Sequence, residues 1–318
     1  MLQVFIINSF SGDERKTIGI REELEKMRDM EYLVFNSGYP GHEGELARQM
    51  CELFPKEEIR FYSCGGSGTF RNILKGIPKK DMGRIEMAEV ACGLTNDFLN
   101  LYGTEREKFT DISNLIRGRA EEIDYLKTSV GPAHNTVSVG FDGIILRGVI
   151  HLTKMPFFHG KFPYFLASVM AVLSTRVAEL EITADGEVFR GKFYEVALGN
   201  GNLLGGNFHF GDKAQPQDEK IRMILAPKKN LLYKLRLLIA ALRNNQEVLE
   251  KRGICRDVEK VKIRSMDGRA LSINVDGELE IAEELTVEVC RGGLRFVEPV
   301  NLNRRKIVWK KGMFLHKN

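Results

Sequence analysis

The segment IRFYSCGGSGT, residues 59–69, is a mostly apolar run that ends in three glycines, a serine and a threonine. The run predicts a β-strand, and the pattern of Phe70–Gly76 after it predicts a helix. Glycines let a backbone approach an anion closely, and a helix N-terminus offers N–H groups and the positive end of a dipole. We therefore expect a strand–loop–helix unit whose loop, Gly65–Thr69, is either a phosphate cradle or a plain glycine-rich turn.

The same pattern recurs through the first 126 residues. Apolar runs at Val4–Ile7, Tyr32–Phe35 and Ile85–Cys92 are each followed by a polar loop, and helical patterns follow at Ile18–Met30 and Glu43–Phe54. Repeated strand–loop–helix units predict a mostly parallel sheet with helices on both faces. In such a sheet, ligands bind at the loops beyond the carboxyl ends of the strands.

After about residue 126 the pattern changes to short alternating strands, which predict a second, mainly antiparallel β-rich domain. Two helical patterns, Lys161–Thr175 and Asn230–Arg252, interrupt it. The predicted strands are 136–139, 181–183, 193–197, 221–225, 261–264, 271–275 and 285–289.

Charge and composition exclude several classes of protein. The 318 residues include 47 Lys and Arg against 43 Asp and Glu, a net charge of +4, but six of the basic residues lie in the acid-free segment Arg304–Asn318. The other 303 residues therefore carry 41 basic and 43 acidic side chains, whereas a protein that wraps nucleic acid spreads basic charge over a face. We expect no nucleic-acid partner. With 43% hydrophobic residues the chain is not disordered.

Cysteine usage and hydropathy indicate the cellular compartment. The N-terminal MLQVFIINSF lacks the basic start of a signal peptide and predicts a first strand. The longest apolar stretch, Phe162–Leu173, is interrupted by Pro163 and Ser168 and is too short to span a bilayer. We expect a cytoplasmic protein. Five scattered cysteines without a CxxC pair agree with a reducing compartment.

Two more polar loops are predicted at the same edge of the first sheet. Asn8–Gly12 follows the first strand, and Thr95–Phe98 follows the fourth. Asn, Ser and Asp also cap helices, so capping alone accounts for each loop taken singly. Three such loops at one edge favour a ligand site more than any one of them does.

In the second domain, two carboxylates follow or precede predicted strands. Asp276-Gly277-Glu278 comes after the strand 271–275, and Asp218 stands just before 221–225. Asp-Gly strongly favours a tight turn, so a structural reading competes with a functional one at both places.

Taken in order, these pieces resemble the diacylglycerol kinase catalytic family, which includes lipid kinases of the sphingosine kinase type. The family has an Asn-Pro-x-Ser-Gly loop, a Gly-Gly-Asp-Gly-Thr loop and a Pro-x-Gly-Thr-x-Asn-Asp-Phe loop, followed by an Ile-Asp pair, an Asn-x-x-Ser-x-Gly-Phe-Asp segment, a metal-site Asp and an Asp-Gly-Glu. The corresponding segments here are Asn8–Gly12, Gly65–Thr69, Ala91–Phe98, Ile123-Asp124, Asn135–Asp142, Asp218 and Asp276–Glu278.

The resemblance implies a NAD kinase/diacylglycerol kinase-like fold and a site within it. Residues 1–126, with about 300–318 returning, would form the α/β nucleotide-binding domain, and 127–299 the β-sandwich domain. Glu278 would be the general base, Asp276 would be a catalytic residue with it, and Mg²⁺ would be held by Asp218, Asp97 and Asp124. The residues implied to bind ATP are Asn8, Ser11, Gly12, Ser37, Gly65, Gly66, Ser67, Gly68, Thr69, Asn72, Asn96 and Asp97.

This sequence departs from the family pattern at several of these positions. Ser67 replaces the Asp of Gly-Gly-Asp-Gly-Thr, and Leu94 replaces a Thr in the third loop. Ser9 and Ala91 replace prolines, and Glu219 replaces the Gly expected after the metal-site Asp. A neutral Ser67 can hydrogen-bond a metal-bound water but cannot offset the charge of the ion.

Three functions follow as alternatives. The first is an ATP-dependent lipid kinase, a transferase of lipid metabolism and phospholipid biosynthesis that phosphorylates diacylglycerol or a related lipid alcohol. The second, motivated by Ser67 and Leu94, is a catalytically impaired relative that binds nucleotide or lipid in a regulatory role. The third is NAD kinase, which shares the glycine-rich loop.

The C-terminal residues allow two readings. Arg304–Asn318 interleaves six basic residues with apolar ones and includes the single Trp, Trp309. It is either a terminal strand with solvated lysines or a segment that docks the enzyme peripherally on the anionic inner face of the membrane. The expected partners are a lipid substrate and, because an antiparallel domain leaves an edge strand exposed, a second copy in a homodimer.

Overall fold

The computed structural model describes residues 1–9, 14–27, 30–93, 96–152, 166–167, 170, 177–201, 203–204, 208–209, 214–243, 245–303 and 307. The chain divides into two compact units, Met1–Tyr125 with the residues after Val289, and Leu126–Val289. The first is an α/β unit and the second a β-sandwich, as the sequence predicts.

The first unit is built on a parallel sheet. Its strands in chain order are β1 (Leu2–Ile7), β2 (Tyr32–Asn36), β3 (Ile59–Gly65) and β4 (Ile85–Ala91). They lie in the order β2–β1–β3–β4, and every neighbouring pair is parallel. The helices are α1 (Glu14–Glu25), α2 (His42–Leu53), α3 (Ser67–Gly76) and α4 (Ile112–Ile116), with 3₁₀ segments at Lys79–Arg84 and Asp97–Thr110.

Helices α2 and α3 pack with their backbones in close approach. A Cβ on Gly44 would lie 2.7 Å from the carbonyl oxygen of Asn72, and one on Gly76 would lie 2.7 Å from the Cα of Gly44. Side chains at these two positions would push the helices apart. The glycine pair therefore sets the position of α3.

The last long strand, β17 (Glu284–Glu298), begins in the second unit and ends in the first, where it pairs in parallel with β4. Phe296 is fully buried there, with ring centroids 5.1 Å from Phe98 and 6.1 Å from Phe109. The Tyr102 hydroxyl donates to Glu298 at 3.1 Å. The return to the first unit therefore begins at Cys290, ten residues before the expected position of about 300, because the end of β17 carries core side chains.

The second unit is an antiparallel sheet around its own apolar core. Besides β17, the strands are β5 (Arg119–Thr128), which enters this unit from the first, β6 (Gly131–Ala133), β7 (Thr136–Gly140), β8 (Ala178–Ala184), β9 (Glu187–Gly199), β10 (Leu203–Leu204), β11 (Phe208–His209), β12 (Ile221–Pro227), β13 (Ile254–Val258), β14 (Lys260–Ser265), β15 (Leu271–Val275) and β16 (Glu278–Ala282). The strand order is β16–β15–β7–β9–β8–β14–β17, and β12 joins β9 to β13. All seven predicted strands are present.

The helices whose bounds lie within the described residues of this unit are α5 (Phe141–Leu152), α6 (Leu231–Leu242) and α7 (Gln246–Arg252). The single helix expected at 230–252 is therefore two helices, separated near Asn245. Most of the predicted helix 161–175 and, apart from Ile307, the basic segment 304–318 lie outside the described residues. Within the described part of the chain, no helix has the length and apolar character needed to cross a membrane.

Candidate functional site

The carboxyl ends of the parallel strands bring the starts of four loops to one edge of the first unit. Asn8 follows β1, Ser37 follows β2, Gly65 ends β3 and Cys92 follows β4. The backbone N–H of Asn8 donates to the Cys64 carbonyl at 3.0 Å, and the backbone N–H of Ser37 donates to the Ile7 carbonyl at 2.9 Å. The loops that follow neighbouring strands therefore begin side by side. This is the edge at which open α/β sheets bind their ligands.

Asn8 and Thr69 connect the first loop to the glycine-rich loop. The Asn8 side-chain amide donates to the Thr69 hydroxyl at 3.0 Å. A Cβ on Gly65 would lie 2.7 Å from the Thr69 Cβ, so the loop can close in this way only with glycine at that position. Asn8, Gly65 and Thr69, all predicted to bind nucleotide, therefore lie together.

The glycine-rich loop forms the N-terminus of α3. Gly66 is the N-cap, and Ser67, Gly68 and Thr69 make up the first turn, three residues earlier than the predicted helix start at Phe70. The first N–H groups of a helix have no acceptor within the helix and carry the positive end of its dipole. The backbone here can therefore bind an anion such as phosphate.

The third loop crosses the glycine-rich loop at backbone contact. A Cβ on Gly93 would lie 2.6 Å from the Gly66 nitrogen. The buried Asn96 side-chain amide donates to the Gly65 carbonyl at 2.9 Å and to the Glu89 carboxylate at 2.8 Å, and its oxygen accepts from the Gly93 N–H at 3.1 Å. Asn96 therefore holds the two loops together.

Ser67 occupies the position where the family pattern has an aspartate. Its hydroxyl accepts the backbone N–H of Asp97 at 3.2 Å, and both residues are buried. The side chain thus replaces a carboxylate with a neutral acceptor that fixes the start of the Asp97–Thr110 segment. Ser11 and Gly12 from the first loop, and Leu94 and Thr95 from the third, lie outside the described residues.

Two other predicted residues lie near α2 and β2. The Asn72 side chain donates to Glu43 at 3.4 Å, and Glu43 is buried in the first turn of α2. Ser37 is also buried, and its hydroxyl has no hydrogen-bond partner among the residues that the structure describes. A buried unsatisfied hydroxyl is costly, and a bound polar ligand would satisfy it.

The three predicted metal ligands lie in different surroundings. Asp124 is buried on β5, where its carboxylate accepts the Gly292 N–H at 2.7 Å. Asp218 is exposed at a turn and accepts the Lys220 N–H at 3.0 Å. Asp97 lies at the carboxyl edge of the first sheet, beside Ser67. Among the described residues, no group of three or more His, Cys, Asp or Glu side chains is arranged to hold a metal.

In the second unit, Asp276 and Gly277 form the tight turn between β15 and β16, with φ of 51° and 90°. The Asp276 side chain also has a role beyond the turn. One carboxylate oxygen accepts the backbone N–H of His134 and contacts the ring Nδ1 of the same residue, both at 2.8 Å. The other oxygen accepts the backbone N–H groups of Asn135 at 3.1 Å and Thr136 at 2.8 Å.

These contacts determine both the charge of Asp276 and its role. Burial alone would raise the pKa of Asp276, but the His134 charge and the hydrogen bonds from His134 and Thr136 lower the pKa below its ordinary value. With both carboxylate oxygens engaged, Asp276 holds the turn, and Glu278 begins β16 directly after it.

His134 is a site residue that sequence reasoning missed. It is fully buried, and its carbonyl accepts the Asn200 side-chain amide at 2.8 Å. Its partner Asp276 is 142 residues away along the chain, so no local spacing signals the pair.

A second buried acidic group lies at the start of α5. Asp142 accepts hydrogen bonds from the Ser138 hydroxyl at 2.8 Å and from the Asn274 amide, and the Asp142 N–H donates to Glu195 at 3.0 Å. Burial raises the pKa of Asp142, and burial together with the Asp142 charge raises that of Glu195 well above its ordinary value. Asn274 also accepts the Gly277 N–H at 2.8 Å, which connects this group to the turn before Glu278.

A cavity of about 600 Å³ opens beside α5 within the second unit. Its lining is mixed: Val139, Ile144 and Leu271 are apolar, whereas Arg147, Asp267 and Arg269 are charged. Lys234, 8% exposed, reaches into the aromatic part of this region, with its Nζ 5.3 Å from the Phe141 ring centroid and 5.1 Å from that of Tyr194. A volume of this size suits a small molecule or part of a lipid.

Each of the two units matches a known protein family. Residues 3–128 match the family described as the diacylglycerol kinase catalytic domain. Residues 135–298 match the family described as the YegS C-terminal NAD kinase beta sandwich-like domain.

Individual relatives agree with these matches. A diacylglycerol kinase of Bacillus subtilis (strain 168) is 24% identical over 239 residues, which cover 74% of this chain and 76% of the relative. A diacylglycerol kinase of Staphylococcus aureus (strain Newman) is 24% identical over 219 residues, which cover 68% and 67%. The crystal structure of a diacylglycerol kinase from Bacillus anthracis str. Sterne has a TM-score of 0.70 at 18% identity and covers 94% of this chain and 97% of that one, which shows a shared fold.

Proposed function

The chain belongs to the diacylglycerol kinase catalytic-domain family, and from that premise we propose that it transfers the γ-phosphate of ATP to the hydroxyl of diacylglycerol or a related lipid alcohol. Its relatives are named as kinases, which supports a phosphotransferase. The observation that carries the proposal is the meeting of Asn8, Gly65–Thr69 and Asn96 at the carboxyl edge of a parallel sheet.

We assign the phosphates of ATP to the first turn of α3. The N–H groups of this turn and the helix dipole stabilise negative charge, and Asn8 and Thr69 add polar groups at the same place. The unsatisfied Ser37 hydroxyl supports a polar ligand at the neighbouring loop. Phosphoryl transfer depends mainly on such positioning and charge stabilisation.

Mg²⁺ is bound in kinases through one or two carboxylates, water and substrate phosphates, so Asp218 and Asp97 have the chemistry that would hold the ion. Asp218 is exposed, and Asp97 lies beside the glycine-rich loop. Asp124 fits less well, because its carboxylate is both buried and bound to the Gly292 N–H, whereas that of Asp218 accepts the Lys220 N–H but is exposed. When bound, the ion would neutralise phosphate charge. Ser67 could hydrogen-bond a water on the ion but, unlike an aspartate, could not offset the charge of the ion.

We assign proton transfer to Glu278. Its carboxylate takes the proton of the acceptor hydroxyl as the hydroxyl oxygen forms a bond to the γ-phosphorus and the bond to ADP breaks. A general base of this kind contributes roughly 10²–10⁴ in rate when it is positioned correctly. The Asp276–His134 pair and the Asn274–Gly277 hydrogen bond supply that positioning through the turn before Glu278.

The cavity beside α5 is our candidate for the lipid acceptor. Its apolar side chains suit an acyl segment, and its basic side chains, Lys234, Arg147 and Arg269, suit ester or other electronegative oxygens. Asp142, at the start of the same helix, donates its backbone N–H to the carboxylate of Glu195 on β9, and the raised pKa of both groups favours a protonated carboxyl group next to the cavity residues Phe141 and Tyr194.

Ser67 favours a second candidate, a catalytically impaired relative that binds nucleotide or lipid in a regulatory role. The buried serine provides an acceptor for Asp97 but no charge for the metal network. In that case ATP binds and turnover is negligible.

One experiment separates these functions. Purified protein is incubated with radiolabelled ATP, Mg²⁺ or Mn²⁺ and a panel of lipid alcohols in mixed micelles, and with NAD as a separate acceptor. Labelled phospholipid from the wild type supports the lipid kinase. Bound ATP without transfer, together with activity gained by Ser67→Asp, supports the regulatory relative, and labelled NADP contradicts both.

A further inference from the structure

Helix α6 presents an unusual face to solvent. Leu232, Arg236, Ile239 and Arg243 are spaced by four, three and four residues, which places them on one stripe of the helix surface. Leu232 is 55% exposed and Ile239 48%, and Leu231 beside them is 57% exposed. Apolar and basic side chains therefore alternate along one exposed stripe.

The opposite face of α6 is firmly packed. Tyr233 is buried, and its hydroxyl donates to the Arg252 carbonyl at 2.8 Å. Lys234, also buried, lies against the rings of Phe141 and Tyr194. The inner face of α6 thus packs against the rest of the second unit, and the leucine and isoleucine side chains on its outer face are left in solvent.

The chain segment that carries this face has only basic charged residues. From Lys228 to Asn245 the chain has five basic residues and no acidic one. Four of the five are exposed: Lys228, Lys229, Arg236 and Arg243. An exposed apolar stripe flanked by basic residues has the composition of a helix that lies in the interface of an anionic bilayer.

We propose that the outer face of α6, defined by Leu231, Leu232, Arg236, Ile239 and Arg243, docks the protein on an anionic bilayer. The apolar side chains enter the boundary between head groups and acyl chains, and the arginines and lysines bind lipid phosphates. The choice of a bilayer over an acidic protein rests on the proposed function, because a lipid kinase must reach its acceptor in a membrane.

A second copy of the chain fits this face less well. A two-fold interface would place the same patch on both subunits, so two patches that each carry Arg236 and Arg243 would face each other. Like charges placed together oppose association. Lipid phosphates instead supply the complementary charge.

The test is co-sedimentation of the full chain with vesicles of phosphatidylcholine alone and with 30% phosphatidylglycerol. One variant neutralises Arg236→Gln and Arg243→Gln, and another replaces Leu232→Gln and Ile239→Gln. The matched control combines Lys262→Gln and Val188→Gln, an exposed basic and an exposed apolar residue elsewhere in the second unit. Thermal unfolding by circular dichroism verifies that each variant folds.

The wild type should bind the anionic vesicles much more tightly than the neutral ones. Each basic residue near an anionic leaflet is worth roughly fivefold in affinity, so the arginine variant should bind about 25-fold more weakly. The apolar variant should lose at least about tenfold, and the control less than about twofold. Anionic vesicle binding that is unchanged in both α6 variants would overturn the proposal.

Two further measurements keep this proposal separate from the proposed function. Sedimentation velocity without vesicles should give the same mass for wild type and α6 variants, and a dimer abolished by the α6 substitutions would make the face a copy–copy interface and overturn docking. Phosphorylation of a soluble short-chain diacylglycerol should be unaffected by the α6 substitutions. Intact vesicle binding with no such phosphorylation by the wild type would support docking while contradicting the kinase.

Discussion

The turn before Glu278 depends on the buried carboxylate of Asp276, and Asp276→Asn tests this dependence. The substitution keeps the size of the side chain and suits the turn, since Asn adopts positive φ as readily as Asp. It changes one carboxylate oxygen into an NH₂ group. Because Asp276 accepts two hydrogen bonds on each oxygen, the amide can retain only one of the two pairs.

The hydrogen bonds lost in Asp276→Asn determine how far the free energy of unfolding falls. If the NH₂ group faces His134, a neutral imidazole can accept one hydrogen bond through Nδ1, but the His134 N–H is left facing a donor. A buried unsatisfied N–H costs roughly 1–3 kcal/mol, and hydrogen bonds to a neutral acceptor are about 1 kcal/mol weaker each than those to a charged one. We expect Asp276→Asn to lower the free energy of unfolding by about 3 kcal/mol.

Urea unfolding at pH 7 measures this difference, and the chain supplies a closely matched control. Asp185 and Gly186 form a turn of the same kind, with φ of 45° and 92°, and Asp185 accepts two backbone N–H groups at 2.9 and 2.8 Å. Asp185 is exposed, so Asp185→Asn should cost less than about 1 kcal/mol. Equal losses for the two variants would refute the assignment of Asp276 as a buried structural anchor.

Three other predictions follow from the packing and the buried charges. Glu195→Gln should stabilise the fold increasingly as pH rises. The pKa of Glu195 is raised in the folded state, so the stability that its protonated form contributes near pH 4 is lost as pH rises through that pKa. Urea unfolding at pH 5 and pH 8 should show a gain in the free energy of unfolding only at the higher pH, at about 1.4 kcal/mol per unit of pKa displacement. Glu86→Gln should cost about 3–5 kcal/mol, since it leaves Arg60, 2.6 Å away and buried, without its counter-charge; a loss under 1 kcal/mol in thermal unfolding would contradict this. Gly93→Ala should weaken ATP binding measured by calorimetry, because its Cβ would lie 2.6 Å from the Gly66 nitrogen, and unchanged affinity would show that the two loops separate freely.

The sequence predicted the fold because periodicity reports burial. The runs around Val4, Ile59 and Ile85 are fully buried strands, and the alternating segments after residue 126 are strands with one face in a core. Element boundaries were less accurate where a loop residue joins a helix. Ser67–Thr69 belong to α3 because glycine-rich residues at a strand end can enter a first helical turn that pattern alone does not reveal.

The long-range polar network could not be predicted from the sequence. His134 binds Asp276 across 142 residues, and Asn72 binds Glu43 across 29, so neither pair has a characteristic spacing. Gly93 likewise gave no signal, because its requirement comes from a backbone crossing with Gly66. The family resemblance identified Asp276, but only the geometry separates its positioning role from that of Glu278.

The measurement that tests the central claim most directly is transfer of radiolabelled γ-phosphate from ATP to diacylglycerol in mixed micelles, with wild type and Glu278→Gln compared at equal folded concentration. We predict labelled phospholipid from the wild type and a loss of at least about 100-fold in kcat for Glu278→Gln, with ATP affinity unchanged. Transfer by Glu278→Gln at the wild-type rate would contradict the account.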